Sequence, residues 1–410
     1  MHVAGEMATH ALMPRGKLMI RHFETDLLPE RFTPIVFVVL GILTAMLCNV
    51  HAGPLPMPAM DGPLTSSSPI EFAAGPLGNL NLTGVLSGLA VWQNNPAPGN
   101  QSNWAGISNG QIFIQKTHGL IQFFIQAGAY DIPSLGAPLL STGRTLTDYY
   151  GPLPQAYLKI APSPDVSILI GKLPTLAGAE YTFTFENMNI QRGLLWNQEN
   201  AVTRGIQANY QVGSLTASLS LNDGYYSNRF SWLSGELAYA LDRANTIAFV
   251  GMGNMGSTHY ESPATPLYQN NSDLYNLIYS YTSGPWVIQP YLQYSYVPQD
   301  VALAISKATE TYGAAILGIY RFTSRVFLAV RGEYISSSGN AEDGALNLLY
   351  GPGSRAWSVT ITPTYQVQDF FARAEFSFVR AVDYAPGAVF GRQGNNPAQA
   401  RILVESGFFF

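Results

Sequence analysis

Three segments near the end of the chain carry an arginine and a glutamate two or four residues apart. The pairs are Arg331 with Glu333, Arg373 with Glu375, and Arg401 with Glu405. In a β-strand, residues at i, i+2 and i+4 point to the same face, so each pair would present both charges on one side. Such charges can form ion pairs with one another or create an electric field across a channel.

Catalytic chemistry has little support elsewhere in the sequence. After residue 52 the only histidines are His118 and His259, and His259 lies near Glu261. One histidine with one glutamate is too little for a metal site or a catalytic triad. Residues 251–256 fit the GxGxxG pattern of dinucleotide-binding proteins, but STHYESPATP follows where that pattern requires a helix. We therefore expect no enzyme activity, no metal and no cofactor.

The region 202–222 shows the kind of element that would position the charged pairs. In LTASLSLN, which begins at Leu215, apolar and polar residues alternate, so a strand would have one apolar and one polar face. The preceding run from Val202 to Gln211 alternates in the same way, and Arg204 is the one break in its apolar set. Only three residues separate the two runs, which predicts a hairpin.

The same alternation recurs from Leu80 to the C terminus and predicts sixteen strands. Short turns and longer polar loops alternate between them, as in outer-membrane barrels. An even number puts both ends of the barrel on the short-turn, periplasmic side, and sixteen strands enclose a water-filled lumen. The predicted strands are residues 80–93, 104–115, 119–130, 153–161, 165–173, 201–212, 214–223, 230–241, 245–254, 273–282, 285–296, 309–322, 325–335, 354–366, 369–380 and 399–410. The fold class is therefore all-β, a transmembrane antiparallel up-and-down β-barrel.

The composition agrees with a protein that contacts lipid. The 410 residues are 47% hydrophobic and only 11% charged, which is under half the usual share of charged residues. After residue 52 the apolar runs fall far short of the ~18 residues that a spanning helix needs. Lipid contact without spanning helices indicates a barrel, because a closed sheet satisfies every backbone group.

The alternation also decides where the charged pairs point. Val326, Leu328 and Val330 form the apolar face of one strand, which leaves Arg331 and Glu333 facing the lumen. A charge on the lipid face near the midplane would cost roughly 2–4 kcal/mol. The same parity places the other two Arg/Glu pairs inward, with Glu236 and Lys159 as possible further members. Two roles stay open: a ladder of salt bridges that braces the wall, or a transverse field that orders passing solutes.

A family resemblance rests on residues 171–210. The matching features are Gly171-Lys172, Gly178 with Glu180, Asn187, Asn189, Arg192-Gly193 and the strand from Thr203 to Tyr210. This segment resembles the signature of the putative β-barrel porin-2 family of Gram-negative outer membranes, although Leu173 stands where an aromatic residue is expected. Weaker similarity covers most of the chain after the signal. The resemblance implies a pore in the cell outer membrane and names no solute.

The connection between the fifth and sixth strands, residues 174–200, resembles in position the inward-folded constriction loop of general porins. Its charged residues are Glu180, Glu186, Arg192 and Glu199, and they lie among Tyr181, Phe183, Phe185 and Trp196. Aromatic side chains gain about 25 cal/mol per Å² by packing. We therefore expect the loop to enter the barrel, narrow it and set carboxylates opposite Arg331, Arg373 and Arg401. The surplus of acidic residues would favour cations modestly. The alternative is a loop that caps the barrel outside or packs on a neighbouring subunit.

Both ends of the chain carry export features. Arg31, the apolar run from Ile35 to Leu47 and a cut after Ala52 predict a signal peptide over residues 1–52, with Met19 as a possible true start. A membrane anchor is the alternative, although the run is short for one. Residues 53–79 are rich in Pro, Ser and Gly and predict a flexible periplasmic lead-in to the barrel of residues 80–410. The final strand ends on Phe410, which resembles the signal read by the barrel assembly machinery.

Two functions remain from the sequence. The first is a porin for passive diffusion of small hydrophilic solutes, weakly selective by charge. The second is an outer-membrane barrel with a blocked lumen whose surface loops serve adhesion or structure. The expected partners are outer-membrane lipid, the barrel assembly machinery and the solutes, and a homotrimer is a possible assembly. The net charge of −5 argues against a nucleic-acid partner.

Overall fold

The computed structural model describes residues 62–66, 68–340, 342–346 and 349–410, so the expected signal peptide lies outside the described residues. These ranges contain seventeen strands, and none of their helices is long and apolar enough to cross a membrane. The strands are β1 (Ile70–Ala73), β2 (Asn79–Gln93), β3 (Asn103–Lys116), β4 (Ile121–Tyr130), β5 (Gln155–Ser163), β6 (Val166–Pro174), β7 (Val202–Val212), β8 (Leu215–Asn222), β9 (Trp232–Ala240), β10 (Asn245–Asn254), β11 (Asp273–Ser283), β12 (Trp286–Val297), β13 (Thr309–Arg321), β14 (Val326–Ser337), β15 (Arg355–Val367), β16 (Phe370–Val382) and β17 (Ala398–Phe409). A seven-residue helix, α1 (Thr142–Asp148), lies between β4 and β5.

Strands β2 to β17 form a closed antiparallel barrel. Each pairs with its neighbour in sequence, and β17 returns to β2 with Arg401 opposite Gln93 and Phe409 opposite Val85. The closure extends to the last residue, because the amide of Phe410 donates to the Gly84 carbonyl at 3.0 Å. The prediction of a sixteen-stranded barrel is confirmed, and β1 is an additional strand outside the ring.

The period-2 pattern of the strands places apolar side chains outside and polar ones inside. On β15, Trp357, Val359 and Ile361 are exposed on the outer surface, whereas Ser358 and Thr360 between them are buried. An outer sheet surface made of such apolar residues is stable when lipid surrounds it. The same parity turns Arg331 and Glu333 of β14 inward, where both are buried.

The inner wall is not polar throughout, which differs from the sequence expectation of polar inner faces. Near the short-turn ends of the strands, inward-facing aromatic residues form an apolar ring. Its members include Phe113, Phe124, Phe327, Phe371 and Phe409, all of them buried. Water would cover these rings in an open lumen at a cost of about 25 cal/mol per Å². Other parts of the chain cover them instead.

One of the covering segments is residues 62–66, which we call the N-terminal strap. Leu64 packs in the same apolar cluster as the ring and is 2% exposed. The amide of Thr65 donates to Gln366 Oε1 at 3.1 Å, and Arg321 Nη2 donates to the Pro63 carbonyl at 3.3 Å. Farther along, β1 pairs antiparallel with the start of β2. The composition predicts a flexible lead-in here, whereas in the structure Leu64 packs on the apolar ring of the inner wall.

Candidate functional site: the inner loop and the cavity beside it

Residues 175–201 between β6 and β7, here called the inner loop, contact wall residues that face the interior. Thr184 Oγ1 donates to Glu405 Oε1 of β17 at 2.7 Å, and Asn189 Nδ2 donates to Thr362 Oγ1 of β15 at 2.7 Å. Arg331 Nη1 of β14 donates to Glu180 Oε1 at 2.5 Å. These contacts place the loop inside the barrel, against the wall formed by β14 to β17, rather than as a cap outside it.

Two phenylalanines fix the loop to the apolar ring. Phe183 precedes a short 3-10 turn, Thr184–Glu186, and Phe185 lies within that turn. The ring of Phe183 meets Tyr130 edge-on with centroids 5.2 Å apart, and the ring of Phe185 meets Phe113 at 5.8 Å. Burying each such ring contributes about 1.5–3 kcal/mol. Packing therefore holds the loop against aromatic side chains of the inner wall, as its aromatic content suggests.

Arg331 is held between two carboxylates. Besides the contact with Glu180, its Nε lies 3.2 Å from Glu333 Oε2, and Nη1 also donates to the Gln191 carbonyl at 2.7 Å. All three charged side chains are buried. Burial raises the pKa of Glu180, whereas the Arg331 charge opposes that rise. Removing one partner of such a buried pair typically costs about 3–5 kcal/mol, so this contact anchors the loop.

Arg373 meets backbone rather than the carboxylate expected across from it. Its guanidinium donates to the carbonyls of Thr184, Asn187 and Met188 at 2.9, 2.9 and 2.8 Å, and it lies 3.6 Å from Glu405 of the neighbouring strand. The expectation that the loop sets a carboxylate against Arg373 is wrong. The irregular loop backbone leaves carbonyls without strand partners, and the five donors of a guanidinium can satisfy several of them.

Arg401 departs from the expectation in the same way. It donates to the Ser134 carbonyl at 2.7 Å and to Gln191 Oε1 at 2.9 Å, so it ties the inner loop to the connection between β4 and β5. Glu375 accepts from the Gln191 amide at 3.2 Å and from its side chain at 2.8 Å. The wall charges thus bind the loops inside the barrel. Of the two roles left open by the sequence, bracing and a transverse field, this arrangement favours bracing.

Arg192 lies inside the loop and its side chain is fully buried. Its guanidinium sits 5.5 Å from the centre of the Trp196 ring and donates no hydrogen bond within the described ranges. Its backbone pairs with the connection between β4 and β5, since its amide donates to the Pro133 carbonyl at 3.1 Å. Burial lowers the pKa of Arg192 to about 10, although nearby carboxylates, Glu180 most strongly, act to raise it.

Glu199, at the end of the loop, is buried against Gly178. Tyr291 of β12 donates to its Oε1 at 3.4 Å, and burial raises the pKa of Glu199 well above its usual range. Gly178 adopts a φ of +77°, and a Cβ there would lie 1.9 Å from Glu199 Oε2. Glycine is therefore needed at 178 for both its backbone and its lack of a side chain.

Asp131 is a buried carboxyl that the sequence analysis missed. It follows the last residue of β4, and its Oδ1 accepts from the Ile132 amide at 2.8 Å and from Thr145 Oγ1 at 3.3 Å. Burial raises the pKa of Asp131 from its usual 3.8 to about 7. The only signal in the sequence is an aspartate at a strand end, which is more often a solvated turn residue.

A cavity of about 380 Å³ remains between the inner loop and the opposite wall. Three carboxylates line it: Glu180 and Glu186 from the loop and Glu236 from β9. No Lys or Arg is among its lining residues, so Lys159 is not part of it. A second cavity, about 320 Å³, shares Glu186 and Tyr181 with the first and is also lined by strap residues Gly62 and Pro63.

Acidic groups outnumber basic ones among the buried side chains of the described residues. Apart from Asp223, which pairs with Arg204 at 2.6 Å, there are seven buried carboxylates and four buried guanidinium groups. The carboxylates belong to Asp131, Glu180, Glu186, Glu199, Glu333, Glu375 and Glu405, and the guanidinium groups to Arg192, Arg331, Arg373 and Arg401. Within the same ranges, no group of three or more His, Cys, Asp or Glu residues is arranged to hold a metal ion.

Comparison with known families agrees with this architecture. A family model described as putative beta-barrel porin-2, OmpL-like, matches residues 79–410. The chain belongs to this family. The match covers all sixteen barrel strands and the inner loop, and it confirms the resemblance seen in residues 171–210. As a porin-2 barrel, the protein is located in the outer membrane.

Solved structures of outer-membrane proteins share the fold of this porin-2 barrel. In-vitro folded OmpT of Vibrio cholerae has a TM-score of 0.55 at 10% identity, over 83% of this chain and 100% of that one. OmpF of Salmonella typhi, in complex with daunomycin, has a TM-score of 0.52 at 12% identity, over 83% and 100%. A trimer form of the Vibrio OmpT has a TM-score of 0.53 at 9% identity, over 81% and 99%. No curated protein matches the sequence.

Proposed function

We propose that this porin-2 barrel is a channel for the passive diffusion of small hydrophilic solutes, with a modest preference for cations. The observation that carries the proposal is the cavity beside the inner loop, which three glutamates line without any Lys or Arg. Fixed charges in a narrow interior are screened less than charges at an open surface. Such an interior attracts cations and repels anions.

The different positions of the basic and acidic side chains also support a preference for cations. Arg331, Arg373 and Arg401 are fully buried and donate hydrogen bonds to loops. A passing ion therefore does not contact their guanidinium groups directly. Glu186 and Glu236, by contrast, line the cavity. The excess of negative charge therefore lies beside this cavity.

The test is the reversal potential of the purified protein in a planar bilayer under a KCl gradient. Glu186→Gln and Glu236→Gln should each shift the reversal potential toward anions, because each removes a carboxylate that lines the cavity. Glu342→Gln, at an exposed position of the loop between β14 and β15, removes one charge that does not line the cavity and is the matched control. A Glu186→Gln reversal potential equal to that of the control would contradict the proposal.

Two partner assignments belong to the same proposal. Three barrels associate, as in the trimer form of the similar Vibrio protein, and the barrel assembly machinery recognises the strand that ends at Phe410. The aromatic side chain of Phe410, beside the strand that closes the barrel, supports the second assignment.

A further inference from the structure

The cavity beside the inner loop offers hydrogen-bond acceptors that lack matching donors. Glu236 forms no ion pair among the described residues. Gln115 of β3 also lines the cavity, is 2% exposed, and its Oε1 accepts no hydrogen bond within the described ranges. Leaving a buried acceptor unpaired costs about 1–3 kcal/mol. A guest that carries N–H donors and a positive charge would satisfy both residues.

The rest of the lining suits an organic guest rather than a bare ion. The aromatic rings of Phe124 and Tyr157 both line the cavity, with centroids 5.4 Å apart, and Tyr181 adds a third ring. Ring faces attract cations, and ring edges and faces also bury apolar groups. The volume of about 380 Å³ lies within the range of small-molecule sites, roughly 300–1,000 Å³.

We propose that this cavity is a binding site for an organic ammonium ion, an amine whose charged nitrogen carries a small apolar or aromatic body. The nitrogen donates to the Glu236 carboxylate and to Gln115 Oε1, and the body packs on Phe124 and Tyr157. The proposal names a class of cation for the channel proposed above. A role of the site in permeation therefore rests on that proposed function. Binding itself does not require that the barrel conducts.

The experiment is an isothermal titration of the refolded full barrel in detergent at pH 7.5 with benzylammonium chloride. Benzyl alcohol and sodium benzoate serve as neutral and anionic probes of nearly the same shape. We expect saturable binding of benzylammonium and at least about tenfold weaker binding of the other two, because only a positive charge is attracted electrostatically by the Glu236 carboxylate and by the ring faces. Equal binding of benzyl alcohol and benzylammonium would overturn the proposal.

Two variants locate the site. Glu236→Gln should weaken benzylammonium binding about tenfold or more, and Gln115→Met, which keeps the length of the side chain but removes the amide oxygen, should weaken it by a smaller factor. Glu342→Gln should leave binding unchanged. Folding of each variant is checked by its heat-modifiable migration. Unchanged affinity in folded Glu236→Gln would overturn the assignment.

A salt-gradient recording separates this proposal from the channel function. A barrel that prefers K⁺ but binds benzylammonium no better than benzyl alcohol leaves the channel function standing and overturns the site. A barrel that binds benzylammonium through Glu236 but passes no current supports the site and contradicts the channel function.

Discussion

Asp131 illustrates how burial changes the chemistry of a single residue. Its carboxyl has a pKa of about 7 because burial disfavours the charged form. Between the usual value of 3.8 and about 7, the folded protein therefore holds a proton that the unfolded chain has lost. Stability from this group falls as the pH rises through that window and is constant above it.

Asp131→Asn removes that loss, because asparagine does not ionise. We expect the variant to gain stability relative to the parent as the pH rises from 4 to 8, by on the order of a few kcal/mol at the upper end. The measurement is the urea midpoint of the refolded barrel in detergent at several pH values. Asp165→Asn, in an exposed turn, is the control. A stability difference for Asp131→Asn that does not vary with pH would contradict the account.

Residue by residue, the sequence was informative where the strand period applies. Arg331, Glu333, Arg373, Glu375, Arg401 and Glu405 face inward as the alternation predicts. Their partners could not be predicted, since Arg373 and Arg401 bind loop carbonyls whose positions depend on the tertiary path of an irregular segment. The perturbation of Asp131 likewise depends on what covers it.

The inner loop is the element on which the channel account depends. Deleting Thr182 to Asn189 removes both phenylalanines that cover the apolar ring and the carbonyls that bind Arg373. We expect larger single-channel conductance, because the barrel loses material that narrows it, together with lower stability. Folded, heat-modifiable protein whose conductance equals that of the parent would show that the loop is not the constriction.

The N-terminal strap is a second element that fills the interior. Leu64→Ser should release it from the apolar ring, because burial of a leucine contributes about 1.5–3 kcal/mol that serine cannot supply. We expect a larger conductance, measured in the same bilayer assay. Leu77→Ser, at an exposed position before β2, is the matched control. Equal conductance in Leu64→Ser and Leu77→Ser would mean that the strap does not restrict the lumen.

The strap and the loop differ in how visible they are in sequence. The inner loop is rich in aromatic residues, so its packing inside the barrel could be expected. The strap has one leucine among Pro, Ser, Thr and Gly, a composition typical of flexible linkers. Its contacts arise because inward-facing phenylalanines from distant strands form a ring, and that ring exists only after the barrel closes.

For the molecule as a whole, strand count and closure followed from alternation and turn spacing. A chain with 11% charged residues and many short alternating segments contacts lipid with its strands, and every backbone group in lipid needs a hydrogen-bond partner. A closed barrel is the fold that meets both conditions. The filling of the lumen is less constrained by sequence. It depends on how the inner loop, the connection between β4 and β5, and the strap share one interior.

The most direct test of the channel account is a single-channel recording of the purified, refolded protein in a planar bilayer under a KCl gradient. The account predicts stepwise conductance with a reversal potential on the cation side, because carboxylates line the cavity and the arginines are occupied by loops. Heat-modifiable, folded protein that gives no conductance steps, or a reversal potential on the anion side, would contradict it.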